Sequence, residues 1–317
     1  MPLFSRGITI ASHIPAHQKR FFSAAQSLRV DLAYQLFEPP AAAKDSGHRR
    51  DGRPIIFMHG LFGSKQNNRS ISKVLARDLN RDIFVVDLRN HGNSAHAPEH
   101  NYTVMAEDVE NFIRQHRLEK AVLFGHSMGA KTAMTVALRS PELVTGLVPI
   151  DNAPVRARLS ADFARYVKGM EHIEAAKVTK QSDADKILQE YEESLPVRQF
   201  LLTNLIRDEN NNQTLKFRIP LSILGPALDN MADFPFPMPF SDEYAEEKDN
   251  QVKYDGPTLF IRGTRSRYVP DTAVPTIKRF FPRAEIADVE AGHWLVSENP
   301  EAFRQAVVKF FQENDVE

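Results

Sequence analysis

The chain contains no cysteine in its 317 residues. Disulfides, thiolate nucleophiles and cysteine-based zinc or iron–sulfur sites are thereby excluded, and an intracellular compartment fits. Net charge is almost absent as well, because 40 Lys and Arg face 41 Asp and Glu and leave −1 at neutral pH. No overall field draws such a chain to nucleic acid or to an anionic membrane, so no nucleic-acid partner is expected. No apolar run approaches the roughly 18 residues that a membrane-spanning helix needs, so no transmembrane segment is expected. Acidic residues are missing before Asp31, where Arg6, Lys19, Arg20 and Arg29 stand among serines and alanines. A basic, Ser-containing, acid-free opening has the composition of a mitochondrial presequence, here expected over residues 1–25. The stretch Arg20-Phe21-Phe22-Ser23 resembles the arginine-containing sites cut by matrix processing proteases. The expected location is therefore the mitochondrial matrix, with a cytoplasmic protein carrying a basic tail as the alternative.

What remains has the composition of an ordinary globular protein, 42% hydrophobic and 26% charged, and is long enough for one large domain with an inserted subdomain. Residues 28–37 alternate apolar and other side chains like an antiparallel edge strand, and 38–53 read as a loop. Four short, continuously apolar runs follow at 55–58, 83–86, 121–124 and 147–150, the pattern of strands buried on both faces. Helical patterns at 68–80, 102–117 and 128–139 separate them, which implies a parallel sheet covered on both sides. Pro149 weakens the last of these strands, since proline cannot donate to a ladder. From 152 to 250 the alternation gives way to charged helical patterns at 158–178 and 183–194, an aliphatic helix near 197–207 and a proline-rich stretch at 234–240. It resumes with a strand at 258–261, a helix at 272–281, a strand at 284–289 and a helix at 299–312 opened by Asn299-Pro300-Glu301. The expected organisation is a core of residues 26–151 and 251–317 with a helical lid, 152–250, over the sheet's C-terminal edge, where open α/β sheets bind ligands.

The chemistry centres on Gly125-His126-Ser127-Met128-Gly129, a G-x-S-x-G placed after one strand and at the start of a helix. That strand–turn–helix setting exposes the serine on a strained turn, with glycines where helix and strand pack too closely for side chains. A serine hydroxyl needs a base to take its proton. Of 11 histidines, His293 in Ala291-Gly292-His293-Trp294 lies after the last strand and before the last helix, at the same end of the sheet as Ser127. His126 is expected to orient the turn and His59 to be packed. The backbone N–H groups of Met128 and of Leu61, in His59-Gly60-Leu61-Phe62-Gly63, are the candidate oxyanion donors. For the acid, the usual position after the post-lid strand, G-x-x-D-x-x-x-P, reads Gly263-Thr-Arg-Ser266-Arg-Tyr-Val-Pro270 and offers a serine. A serine cannot stabilise an imidazolium electrostatically. Asp151, closing the strand before the lid, is preferred over Asp271, which a helix cap explains. The loop Asp87-Leu-Arg89-Asn-His91-Gly92-Asn-Ser94 reads as structural, its charges pinning the turn beside the oxyanion loop.

On these residues, together with Asp151-Asn-Ala-Pro154, the chain from 53 to 312 resembles the α/β-hydrolase superfamily. Within it, the sequence is similar to the group containing α/β-hydrolase domain-containing protein 11 and the yeast ethanol acetyltransferases. The resemblance implies a mostly parallel sheet flanked by helices with a helical lid insertion. It also implies an acid after the strand preceding the lid, which favours Asp151, and a mitochondrial location. It implies hydrolysis of carboxylic esters or thioesters, with alcohol O-acyl transfer in the fungal branch. A small-molecule ester, thioester or acyl-CoA is thus the expected partner; neither a cofactor nor a metal is expected. An inactive hydrolase fold serving as a binding protein is the reading from another class, and the missing carboxylate at Ser266 favours it. An aspartate-nucleophile epoxide hydrolase or dehalogenase is disfavoured, because Ser127 stands at the nucleophile position.

Overall fold

A computed structural model describes residues 29–40, 52–157, 159–209, 211, 213–237, 252–314 and 316. The stretch 1–25, read above as a presequence, lies outside the described residues, as do parts of the 38–53 loop and of the proline-rich stretch. The chain runs β1 (Tyr34–Phe37), β2 (Ile55–Met58), α1 (Arg69–Leu79), β3 (Ile83–Val86), α2 (Tyr102–Gln115), β4 (Ala121–His126), α3 (Met128–Arg139) and β5 (Val144–Ile150). An insertion follows, with α4 (Ala161–Ala175), α5 (Gln181–Leu188), α6 (Leu195–Leu202), a hairpin of β6 (Leu205–Arg207) and β7 (Leu215–Phe217), and the short α7 (Leu221–Leu224) and α8 (Leu228–Ala232). The core then closes with β8 (Thr258–Gly263), α9 (Val274–Phe280), β9 (Ala284–Val289), α10 (Leu295–Glu298) and α11 (Pro300–Glu313).

Seven strands form one sheet in the order β1-β3-β2-β4-β5-β8-β9. Strand β1 pairs antiparallel to β3 and the other pairings are parallel. The apolar runs become strands because both their faces are covered. Ile55 and Phe57 pack with Ile71 and Leu75 of α1 and Phe303 and Val307 of α11. Ile56 and Met58 point the other way, toward Met105 and Val109 of α2 and Ala133 of α3. From β2 the chain steps outward to β3 and then crosses back to β4 on the far side. The C-terminal ends of β2 and β4 therefore flank the point where the winding reverses, the crevice in which such sheets carry their sites.

Pro149 is accommodated in a central strand, contrary to the weaker assignment its missing N–H suggests. Its backbone faces β8, where the rungs on either side, Leu147 N–H to Pro257 O at 3.0 Å and Asp151 N–H to Ile261 O at 2.8 Å, hold the pair together. One lost rung between two intact ones is tolerable. The insertion also differs in detail from its sequence pattern. The stretch read as one aliphatic helix near 197–207 divides into α6 and β6, because β6 finds an antiparallel partner in β7, which the pattern does not reveal. The insertion sits on the site end of the sheet. Asn204 Nδ2 donates to the Phe62 carbonyl at 2.8 Å, Tyr102 Oη donates to Met231 O at 2.9 Å, and the Lys131 ammonium donates to Asp233 O at 2.8 Å.

Candidate active site

Helix α3 can start directly at the end of β4 only if the turn between them is very tight. Ser127 occupies that turn with φ 54° and ψ −111°, a left-handed backbone that a non-glycine residue adopts at a cost of about 1–3 kcal/mol. The flanking glycines are required by space. A Cβ on Gly125 would lie 2.1 Å from the Gly129 carbonyl oxygen, and one on Gly129 would lie 2.7 Å from the carbonyl oxygens of Met58 and His59. The turn is held by Ser127 N–H donating to Ile150 O at 2.9 Å and by Asn152 Nδ2 donating to Ser127 O at 3.2 Å. Ser127 is 8% exposed, so its hydroxyl faces the crevice rather than open water.

His293 reaches this hydroxyl from the loop after β9. Its Nε2 lies 3.1 Å from Ser127 Oγ, and its Nδ1 lies 2.6 Å from Asp151 Oδ2. With Nδ1–H donating to the carboxylate, Nε2 carries the lone pair and accepts the serine proton. Asp151, at φ 51° and 0% exposed, ends β5. Its Oδ1 accepts the Gly263 N–H at 3.1 Å and its Oδ2 accepts the Ser266 hydroxyl at 2.5 Å. Asp271 is not part of this cluster; it pairs with Arg262 at 2.7 Å, and its side chain is largely exposed. The structure thus brings Ser127, His293 and Asp151 together and leaves Asp271 on the surface.

The two candidate oxyanion donors lie beside the serine. Met128 is the first residue of α3, where backbone N–H groups have no partner within the helix and the helix dipole is positive. Leu61 follows Gly60, whose backbone passes so close to the serine turn that a Cβ there would lie 3.3 Å from Ser127 Cβ. The Leu61 loop is braced from behind. Phe62, at φ 61°, gives its N–H to His91 Nε2 at 3.1 Å, and Asp87 Oδ1 accepts the Lys65 N–H at 2.7 Å. His59 Nε2 accepts the Leu88 N–H at 3.0 Å. The Asp87–Ser94 loop therefore pins the turn that carries Leu61, and His59 is a packed residue.

Burial keeps the surrounding imidazoles neutral. It lowers the pKa of His59, pushes that of His91 well below the usual value, and brings that of His100 down to about 3. His126 falls to about 4, first through burial and second through the neighbouring His293. Its neutral ring donates from Nε2 to the His293 carbonyl at 2.8 Å, so it holds the backbone of the histidine loop. Three further residues at the site receive no role from the sequence, and of these only Phe200 lies outside the motif stretches. Tyr268 lies against the His293 ring with centroids 4.2 Å apart, Asn152 braces the serine turn, and Phe200 of the insertion packs on Trp294 at 4.5 Å. Ser266 is the one such neighbour that the sequence flagged, by standing where an acid is usual.

A strained serine on a strand–helix turn, a histidine after the last strand and a buried carboxylate define a class, and comparison with known proteins agrees. The α/β-hydrolase fold family matches residues 53–300. The chain belongs to the α/β-hydrolase family and is an enzyme of its serine ester hydrolase class. Among individual proteins it is similar to a probable alcohol acetyltransferase of Saccharomyces cerevisiae, 38% identical over 301 residues that span 90% of this chain and 84% of the relative. It is also similar to the sn-1-specific diacylglycerol lipase ABHD11 of Mus musculus, 37% identical over 261 residues, 81% of this chain and 80% of that one. A solved marine microorganism esterase superposes with a TM-score of 0.77 at 28% identity, covering 89% of this chain and 99% of the esterase.

Proposed function

We propose that the chain cleaves carboxylic esters or thioesters of small acyl groups through a covalent acyl-Ser127 intermediate. Ser127 Oγ attacks the carbonyl carbon while His293 Nε2 takes the hydroxyl proton, and the carbonyl electron pair moves onto its oxygen. The N–H groups of Leu61 and Met128 receive that oxyanion; losing one such donor typically raises a barrier by about 3–4 kcal/mol. As the carbonyl re-forms, the alcohol or thiol leaves with the proton returned by His293. Water then adds to the acyl-enzyme, His293 again moving the proton, and the free acid departs. Asp151 stays ionised throughout, holding Nδ1–H and balancing the imidazolium charge. The observation that carries this proposal is the unbroken hydrogen-bond chain from Ser127 Oγ through His293 to Asp151.

The acyl acceptor is the second question. The probable alcohol acetyltransferase among the relatives supports an alcohol in place of water; the same three side chains of this chain would serve that transfer, and an acyl-CoA is one donor to test. In this proposal residues 152–250 act as the lid over a core of 26–151 and 251–317, and the lid's shape governs how much water reaches the acyl-enzyme. Among the described residues no helix is long and apolar enough to cross a membrane. The basic, acid-free opening supports import into mitochondria, which the N-terminal sequence of protein recovered from isolated mitochondria tests.

The function itself is tested by supplying p-nitrophenyl esters and acyl-CoAs of graded length, with and without ethanol, with Ser127→Ala as the blank. Free acid from short-chain donors, absent in the blank, is the expected result. Ethyl ester as the main product would make the chain an alcohol acyltransferase. No turnover of any donor would favour the binding-protein reading instead.

A further inference from the structure

The seat usually occupied by the acid of this site is not idle. We propose that Ser266 is a positioning residue for the reaction, its hydroxyl fixing the Asp151 carboxylate in the plane that His293 requires. This rests on the proposed roles of Ser127, His293 and Asp151.

The direction of the Ser266 hydrogen bond is determined by its neighbours. Its Oγ lies 2.5 Å from Asp151 Oδ2 and accepts the Tyr268 N–H at 3.3 Å. An ionised carboxylate only accepts hydrogen bonds. With a backbone N–H directed at its lone pairs, the hydroxyl therefore turns its proton to Asp151. The serine is itself held, because its own N–H donates to Gly263 O at 2.9 Å. Gly263 in turn donates its N–H to Asp151 Oδ1. The last residue of β8 and the loop after it thus supply a donor to each oxygen of a carboxylate that directly follows β5.

That arrangement meets a specific need. The last torsion of an aspartate is broad and soft, so packing alone does not orient its two oxygens. Asp151 is fully buried, where an ion is stable only when its acceptor sites are filled. His293 is bonded to it, His126 and Tyr268 lie within its electrostatic reach, and no Lys or Arg ion pair to it is found among the described residues. Hydrogen-bond donors therefore do the work of a counter-charge. Oδ2 is shared between Ser266 and His293, so removing the hydroxyl frees the oxygen on which the histidine depends. Its effect should fall on the transition state, when His293 becomes charged, rather than on substrate binding.

The test is a double-mutant cycle with a short-chain ester. Ser266→Ala is expected to lower kcat by about 10- to 100-fold, the range for a hydrogen bond to a charged group, with KM little changed. Ser266→Thr, which keeps the hydroxyl, should stay within about threefold of the parent enzyme on the same physical ground. Asp151→Ala should lose about 10⁴-fold, and adding Ser266→Ala to it should cost nothing more, because the serine acts through the aspartate. Thermal unfolding of each variant identifies those that fold. If folded Ser266→Ala keeps the parent kcat, or is as damaging without Asp151 as with it, the positioning role is overturned. So it is if folded Ser266→Thr fails to rescue. If Asp151→Ala retains full activity, it is the assignment of the acid that falls, and the two failures are distinguishable.

Discussion

The ends of β4 and β5 lie side by side, and each delivers one residue of the site from a left-handed backbone, Ser127 at φ 54° and Asp151 at φ 51°. They are held by different means. At the serine turn the restraint is steric: backbone passes so close to backbone that only glycine fits at 125 and 129. At the aspartate corner the restraint is a set of donors, one from the last residue of β8, one from the loop after it and one from His293. Steric restraint leaves a mark in the sequence, because it forbids side chains. Restraint by donors leaves a fainter one: the Gly263 N–H is a group every residue but proline has, and the Ser266 hydroxyl shows in the sequence only as a missing acid.

Substitutions graded by overlap test the steric half. Gly125→Ala, with its Cβ 2.1 Å from backbone oxygen, should lose about 3 kcal/mol or more of stability, at or above the upper end for overpacking. Gly129→Ala, at 2.7 Å, should lose less, and Gly60→Ala, whose nearest contact is His126 Nδ1 at 3.0 Å, least of all. Urea unfolding of the three variants measures the order. Equal losses would mean that the glycines serve chain flexibility rather than space.

Acid should act mainly on the same half of the site. His59, His91, His100 and His126 lie at the ends of β2 and β4 and in the loop after β3, and burial depresses the pKa of all four. An unfolded histidine takes up its proton near pH 6.5, whereas folded His126 does so only near 4 and His100 near 3. Between those limits the unfolded chain binds more protons, so this contribution is complete above about pH 6.5 and is lost as the pH falls toward 4. Unfolding free energy should drop by about 2 kcal/mol for each of His126 and His100, about 4 kcal/mol for the two together, between pH 7 and pH 5. A flat profile over that range would show that these imidazoles are not held neutral by the fold.

The same contrast explains what could be read in advance. The parallel strands are legible because burial on both faces demands continuous apolar runs such as Ile83–Val86. The serine turn is legible because its glycines are obligatory, and His293 because it lies in the loop directly after the last strand. Asp151 could be chosen over Asp271 only by position along the chain and by resemblance, since nothing local distinguishes a carboxylate that borrows its donors from residues 263 and 266. The hairpin of β6 and β7 was illegible for a related reason: each strand has only three residues and exists through its partner. Phe200 reaches the site by tertiary packing alone, and Tyr268, though it stands beside Ser266 in the chain, shows its contact with His293 only in the fold.

The central claim is that the Ser127 hydroxyl is made nucleophilic by His293. Its most direct measurement is peptide mapping of the protein after reaction with a fluorophosphonate, alongside the Ser127→Ala variant. One adduct per chain, located on Ser127 and absent from the variant, is the predicted result. An adduct on another residue, or undiminished labelling of Ser127→Ala, would contradict it.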